Sequence, residues 1–273
     1  FYGLAQKGGN SNMGLIYKIK NDGSGYSELH TFNGIIGDGA YPHGTVISDG
    51  TYLYGTTQAG GNANGKFFKI KKDGTGFSIL LELNEFTYGD SPLGNFYFDG
   101  TYLFATTSIG GNFGGGTIVK LKTDGSIISK IFDFGDTLIG HTPEGTLISD
   151  GIYLYGTTSK GGQLGFGTVF RIKPDGTGYS TLVNFDNSLN GSIPTSTLSY
   201  DGTFLYGMTA EGGVNNYGTI FKLKPDGSSF SKLLDFNGSG NGREPRGSLL
   251  LKDSDLYGMT SLGGSFGMGE GCI

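Results

Sequence analysis

The sequence predicts an all-β protein, a β-propeller of four-stranded antiparallel blades, and three observations carry that reading. Gly-Gly pairs begin at Gly8, Gly60, Gly110, Gly161, Gly212 and Gly263, in steps of 52, 50, 51, 51 and 51 residues. Asp-Gly turn signals keep the same interval, at Asp22, Asp73, Asp124, Asp175 and Asp226 and in a second series at Asp49, Asp99, Asp150 and Asp201. No segment sustains the 3.6-residue period of a helix; short β-type runs alternate with turn residues throughout.

One period shows the elements in order. Strand a is expected at 145–149 and strand b at 153–158, joined by the Asp150-Gly151 turn. Strand c is expected at 167–173 and strand d at 179–185, joined by Asp175-Gly176. The d-to-a connection runs from Asp186 to Pro194, which suits a crossing from one blade to the next. Four strands in about 50 residues is the size of a propeller blade, whereas β-helix coils are far shorter. The whole chain, 1–273, reads as a single propeller domain of five periods plus a partial sixth. Both chain ends fall inside a repeat, so neighbouring sequence is expected; six blades fit, with five as the alternative.

Composition narrows the function classes. The 54 glycines among 273 residues lack the every-third spacing of collagen and mark turns and close backbone approaches instead. Hydrophobic residues at 36% and aromatics at 13% supply a core that a disordered chain lacks. A net charge of −5, with the 19 basic residues dispersed, argues against a nucleic-acid partner. There is no apolar run long enough for a membrane-spanning helix. Cys272 is the sole cysteine and has no disulfide partner.

The repeated segments LYGTTQAGG (53–61), LFATTSIGG (103–111), LYGTTSKGG (154–162), LYGMTAEGG (205–213) and LYGMTSLGG (256–264), most of them followed by a G-T-[VI]-[FV]-[KR]-[IL] strand, resemble the tandem "GloVer" repeats of Gloeobacter/Verrucomicrobia type. The resemblance spans the chain and implies an exported or cell-surface propeller array with no assigned chemistry. The chain departs from that pattern at Gly65-Lys66-Phe67 and at Gly269 to Cys272.

The repeated aromatics of strand b (Tyr54, Phe104, Tyr155, Tyr206) and strand c (Phe68, Phe170, Phe221) are expected to pack between blades. The Thr56-Thr57 and Thr157-Thr158 pairs suit cross-strand hydrogen bonds. The basic alternation of strand c, such as Lys69/Lys71 and Arg171/Lys173, reads as a solvated face. The loop Gly161 to Gly167 looks like a dinucleotide fingerprint but precedes a strand, not a helix, and is rejected as one. The Asp-Gly turns lack the ligand ladder of a calcium loop. No metal site, cofactor or catalytic constellation is expected, and His30, His43 and His141 fall at different phases of the repeat.

The b-to-c loops and d-to-a crossings share one end of each blade, and that end varies between periods. Asn12, Asn62, Asn112, Phe113, Gln163, Phe166, Asn216 and Tyr217 are its candidate ligand-binding residues, since amides beside aromatics can bond hydroxyls and stack on sugar rings. Asparagine in a glycine-rich loop is more often a turn former. The leading reading is a non-enzymatic exported module for surface adhesion or carbohydrate binding, with a glycan or cell-surface polysaccharide as partner. One rival is a structural or filament-forming repeat that self-associates through its terminal strands. The other is a polysaccharide hydrolase or lyase using Glu144, Glu244 or Asp90.

Overall fold

Six antiparallel sheets follow one another along the chain, each built from strands consecutive in sequence. The computed structural model describes residues 1–60, 64–135 and 138–264 and contains no helix among them. The chain divides into two compact units, Phe1–Asp133 and Phe134–Ile273.

The first unit holds three sheets. Strands β1 (Tyr2–Ala5), β2 (Leu15–Lys18) and β3 (Ser27–Thr31) make a three-stranded sheet. Strands β4 (Gly39–Ser48), β5 (Tyr52–Gly60), β6 (Lys66–Lys71) and β7 (Ser78–Glu82) make a four-stranded one. The third contains β8 (Tyr97–Phe98), β9 (Tyr102–Thr107), β10 (Thr117–Lys122) and β11 (Ile128–Asp133). In the second unit, β12 (Ile148–Ser149), β13 (Leu154–Thr158), β14 (Thr168–Ile172) and β15 (Ser180–Asn184) form one four-stranded sheet. Strands β16 (Ser199–Tyr200), β17 (Leu205–Thr209), β18 (Thr219–Leu223) and β19 (Ser231–Asp235) form another, and β20 (Arg243–Lys252) pairs with β21 (Asp255–Leu262). Repeated four-stranded antiparallel sheets in sequence order are the blades of a β-propeller.

Strand a is shorter than expected in the middle blades, where β12 covers Ile148–Ser149 although 145–149 was expected, whereas β4 and β20 run for ten residues each. The backbone before β12 bonds elsewhere. Pro143 has no N–H, and the Thr146 N–H donates to Thr197 Oγ1 of the next blade at 3.0 Å. The c–d ladders shift register once per blade, between Ile16/Tyr17, Phe67/Phe68, Ile118/Val119, Val169/Phe170 and Ile220/Phe221. The extra residue of each bulge lies on strand d, at Leu29, Leu80, Ile131, Leu182 and Leu233, and ordinary strand alternation turns successive strand-c side chains to opposite faces.

Packing between blades follows from that turn. A phenylalanine just after strand d meets the strand-c phenylalanine of the following blade edge-on, at 5.4 Å for Phe32–Phe68, 5.1 Å for Phe134–Phe170 and 5.2 Å for Phe185–Phe221. Phe67 points the other way and meets Phe96 at 4.8 Å. Tyr54 and Tyr155 are buried as well, but they do more than pack. Their hydroxyls donate to Asp49 Oδ2 at 2.6 Å and Asp150 Oδ2 at 2.7 Å, tying strand b to the a–b turn.

The basic residues of strand c correct the solvated-face reading. Lys120, Arg171 and Lys222 lie over the rings of Tyr102, Tyr153 and Phe204 at 4.2, 4.6 and 4.6 Å. Arg171 Nη1 donates to Pro225 O of the next blade at 3.1 Å, and Lys69 Nζ to Thr123 O at 3.3 Å. Lys69 and Arg171 thus join blades through hydrogen bonds, the cation–π contacts tie strand c to aromatic residues of its own blade, and Lys71, Lys173 and Lys224 face solvent.

Candidate functional site

At the loop end of three blades, the Gly-Gly loop is held by a side chain at the end of strand d. The N–H groups of Asn112, Gln163 and Val214 donate to Asp133, Asn184 and Asp235 at 2.8, 2.8 and 2.9 Å. Asp133, Asn184 and Asp235 recur at intervals of 51 residues, a column that the sequence reading passed over. In these three loops the second glycine must be glycine: Gly213 has φ +77°, and a Cβ there would lie 2.4 Å from Asp235 Oδ1. Lys130 and Lys232 neutralise the column through ion pairs of 2.9 Å to Asp133 and 2.7 Å to Asp235. Burial would raise the Asp235 pKa, but the Lys232 ammonium and the Val214 N–H outweigh it and hold the carboxyl below the ordinary range.

This scaffold decides what the candidate residues present. Asn12 and Asn216 adopt φ +54° and +58°, and their side-chain oxygens accept from Gly8 N at 3.0 Å and Gly212 N at 3.2 Å. Both close their own loops. Asn112 bonds Asp133 Oδ2 at 3.1 Å and accepts from Lys130 Nζ at 3.1 Å. Tyr217 is half-buried beside Arg243, with its ring 5.6 Å from the guanidinium carbon. Phe113, Gln163 and Phe166 are exposed. Asn62 lies outside the described residues.

Apart from Phe113, already a candidate, the apolar loop tips were missed in the sequence. Ile35, Phe86, Leu138 and Leu189 on the d-to-a crossings, with Phe113, Leu164 and Val214 on the b-to-c loops, are each more than half exposed, reaching 78% at Phe86. Several are built outward: the N–H groups of Ile35, Phe86 and Leu189 donate to Asn33, Asn84 and Asp186 at 3.0, 3.0 and 2.8 Å. The two loop types also bond to each other, Gly111 N to Glu85 O and Gly213 N to Asn187 O, both at 2.6 Å. The signal was present as one apolar residue per loop among glycine and asparagine.

Asp90 is buried and accepts from Gly65 N at 2.7 Å and Ser91 N at 2.6 Å. Glu144 and Glu244 are half-buried at the starts of different blades. His30 bonds Asp38 at 2.9 Å and stacks on Phe77, and His43 bonds Leu93 O at 2.8 Å. Burial, with Lys160 adding to it, lowers the pKa of His141 and favours its neutral form. Among the described residues no cluster of three His, Cys, Asp or Glu could hold a metal ion.

Comparison with known proteins accounts for the architecture. The family model described as the Gloeobacter/Verrucomicrobia repeat matches residues 1–153 and 62–271. No curated protein sequence matches the chain. Among solved structures, the chain is similar to one in a nidogen/laminin complex, with a TM-score of 0.62, 18% identity, and 95% of this chain and 85% of that one covered. A TolB-type protein from Agrobacterium tumefaciens matches with a TM-score of 0.56 and 15% identity over 82% of this chain and 75% of that one. The GH74 enzyme of Niastella koreensis matches with a TM-score of 0.57 and 16% identity over 87% of this chain but 36% of its own length. At these identities the likeness shows the propeller fold and nothing of activity.

Proposed function

The chain belongs to the Gloeobacter/Verrucomicrobia repeat family, and we propose that it is a non-enzymatic, exported adhesion module that contacts a cell-surface glycan through the loop end of its blades. The observation that carries the reading is the division of labour within each repeat. Strand side chains are spent on contacts between and within blades, whereas the exposed Phe113, Phe166 and Gln163 stand on loops that vary from period to period. Phenylalanine rings offer a face to the C–H side of a sugar, and the Gln163 amide offers a donor and an acceptor.

The test is a binding screen of the purified protein against immobilised polysaccharides, run beside the variant Phe113→Ala/Phe166→Ala. A control variant, Tyr26→Ala/Ile152→Ala, alters exposed residues at the opposite, turn end. Loss of binding in the first variant alone supports the loop end; equal binding by all three proteins refutes it. Release of reducing ends that disappears in Glu144→Gln or Glu244→Gln would instead establish the hydrolase reading.

A second reading, self-association, is favoured by β20 and β21. Tyr257 and Met259 are 48% and 60% exposed, although their repeat equivalents Tyr155 and Met208 are 1% exposed. Light scattering over a concentration series separates it from the first, because a strict monomer excludes it.

A further inference from the structure

One backbone position is strained in five of the six sheets, at the start of strand a. Tyr41, Ser91, Thr142, Ile193 and Glu244 have φ values of +55°, +52°, +60°, +56° and +52°. Each directly precedes a proline of the repeat frame, at Pro42, Pro92, Pro143, Pro194 and Pro245. L-residues other than glycine rarely adopt this region, and β-branched threonine and isoleucine are genuine outliers there.

The hydrogen bonds that impose the geometry are plain. Tyr41, Ile193 and Glu244 donate their N–H to Met13, Phe166 and Tyr217 carbonyls of the preceding blade, at 2.8, 3.0 and 3.0 Å. The carbonyls of Ser91, Thr142 and Ile193 accept from strand b of their own blade, through Ser108, Ser159 and Ala210 N–H at 3.2, 3.0 and 3.0 Å. Both bonds are backbone to backbone and need no particular side chain, so glycine would serve the fold best.

Most other left-handed positions of the repeat are glycine, and Asn12, Asn187, Asn216 and Asp253, of the two side chains that tolerate the region best, fill four more. Gly50, Gly100, Gly151 and Gly202 fill the a–b turns, and Gly25, Gly76 and Gly178 fill the c–d turns, where Ile127 and Ser229 are the departures. The pre-proline position has no glycine in any of the five periods. Nor does it carry one packing shape, because its occupants run from serine to tyrosine and all are half-buried. A side chain kept against strain and varied from blade to blade is not kept for packing.

Neighbouring positions lie side by side within each unit. Tyr41 and Ser91 stand four residues before Thr45 and Asn95, which bond each other across adjacent blades at 2.6 Å. Thr142 and Ile193 stand four residues before Thr146 and Thr197, bonded likewise at 3.0 Å. Thr142 Oγ1 pairs with His141 Nδ1 at 3.1 Å, and the Glu244 carboxylate lies 3.9 Å from the Arg246 guanidinium. Hydroxyls, a carboxylate and one aliphatic face suit a ligand with many hydroxyls and exposed C–H groups.

We propose that the pre-proline residues Tyr41 and Ser91 in the first unit, and Thr142, Ile193 and Glu244 in the second, are the side chains that contact and select a carbohydrate at the loop end. The inference rests on the glycan-binding reading above and names its specificity positions. Glycine variants at the five positions, singly and together, test it, with Ile127→Gly as a strained site away from the loop end. Melting temperature and affinity for chitohexaose, cellohexaose and polygalacturonate by calorimetry are the readouts.

Every single glycine variant is expected to melt at or above the wild-type temperature, and the fivefold variant to lose about tenfold or more in affinity for a probe that the wild type binds. Ile127→Gly is expected to melt higher with affinity unchanged. Lower melting temperatures at most of the five positions would assign those side chains to packing and overturn the proposal. Undiminished binding by the fivefold variant overturns it too, while leaving the loop-end glycan reading in place. A wild type that binds none of the three probes overturns both readings together.

Discussion

Thr57 and Thr107 occupy the same place in adjacent blades, yet valine substitutions there are expected to act with opposite sign. Thr107 Oγ1 pairs with Thr117 Oγ1 at 2.9 Å and accepts the Thr117 N–H at 3.0 Å. The second blade has Lys66 where the third has Thr117, and the buried Thr57 Oγ1 consequently has no partner. Lys66 is 1% exposed, and its ammonium reaches past the strand to Glu82 Oε1 at 3.0 Å. A buried hydroxyl without a partner costs about 1–3 kcal/mol, and valine has nearly the same shape without that cost. Thr57→Val should therefore stabilise by about 1 kcal/mol, allowing for imperfect repacking. Thr107→Val removes an acceptor from a buried N–H and a partner from a buried hydroxyl, which should cost about 2–3 kcal/mol. At roughly 2–4 °C per kcal/mol for a chain of this size, Tm should rise by about 2–4 °C in the first variant and fall by about 5–10 °C in the second. Differential scanning calorimetry and urea titrations of the three proteins decide the matter. A fall in Tm for Thr57→Val would refute the reasoning, since it would mean that the hydroxyl contributes to the fold.

Two further outcomes follow from the turns. Tyr155→Phe removes the hydroxyl that donates to Asp150 Oδ2, which should cost about 0.5–1.5 kcal/mol and raise the Asp150 pKa in a carbon-13 NMR titration; an unmoved pKa would show that the contact is not formed in solution. Acid should unfold the protein through the same groups. For Asp49, Asp150 and Asp201, burial raises the pKa, but bonds from the tyrosine hydroxyls and turn N–H groups outweigh it, so the folded values lie below 3.8. A carboxylate depressed on folding contributes stability that is complete above its unfolded pKa and lost as pH falls through the folded value. Stability measured by urea titration should hold steady above about pH 5 and drop below about pH 4; a protein equally stable at pH 3 and pH 6 would contradict this.

How far the fold could be read ahead depended on whether a residue acts within its own repeat or across two. The blade was legible because strand alternation, Asp-Gly turns and the 51-residue interval are local signals. The Phe32–Phe68 and Phe185–Phe221 contacts were foreseeable as a class, since an aromatic that recurs every period must meet the next copy. Arg171 was misread because alternation cannot distinguish solvent from a neighbouring blade, and its partner Pro225 is 54 residues away. Asn112 and Asn216 were legible as polar loop residues, but their bonds to Asp133 and Gly212 depend on loop geometry that composition does not encode. The pre-proline column was equally visible in the sequence, as Tyr41, Ser91, Thr142, Ile193 and Glu244, and looked like loop variability. Only the sign of φ shows that each of these side chains is held at a conformational cost. Variation at a position where glycine would be easier marks a site kept for its side chains, and that separates this column from the exposed loop tips, where variation costs the fold little.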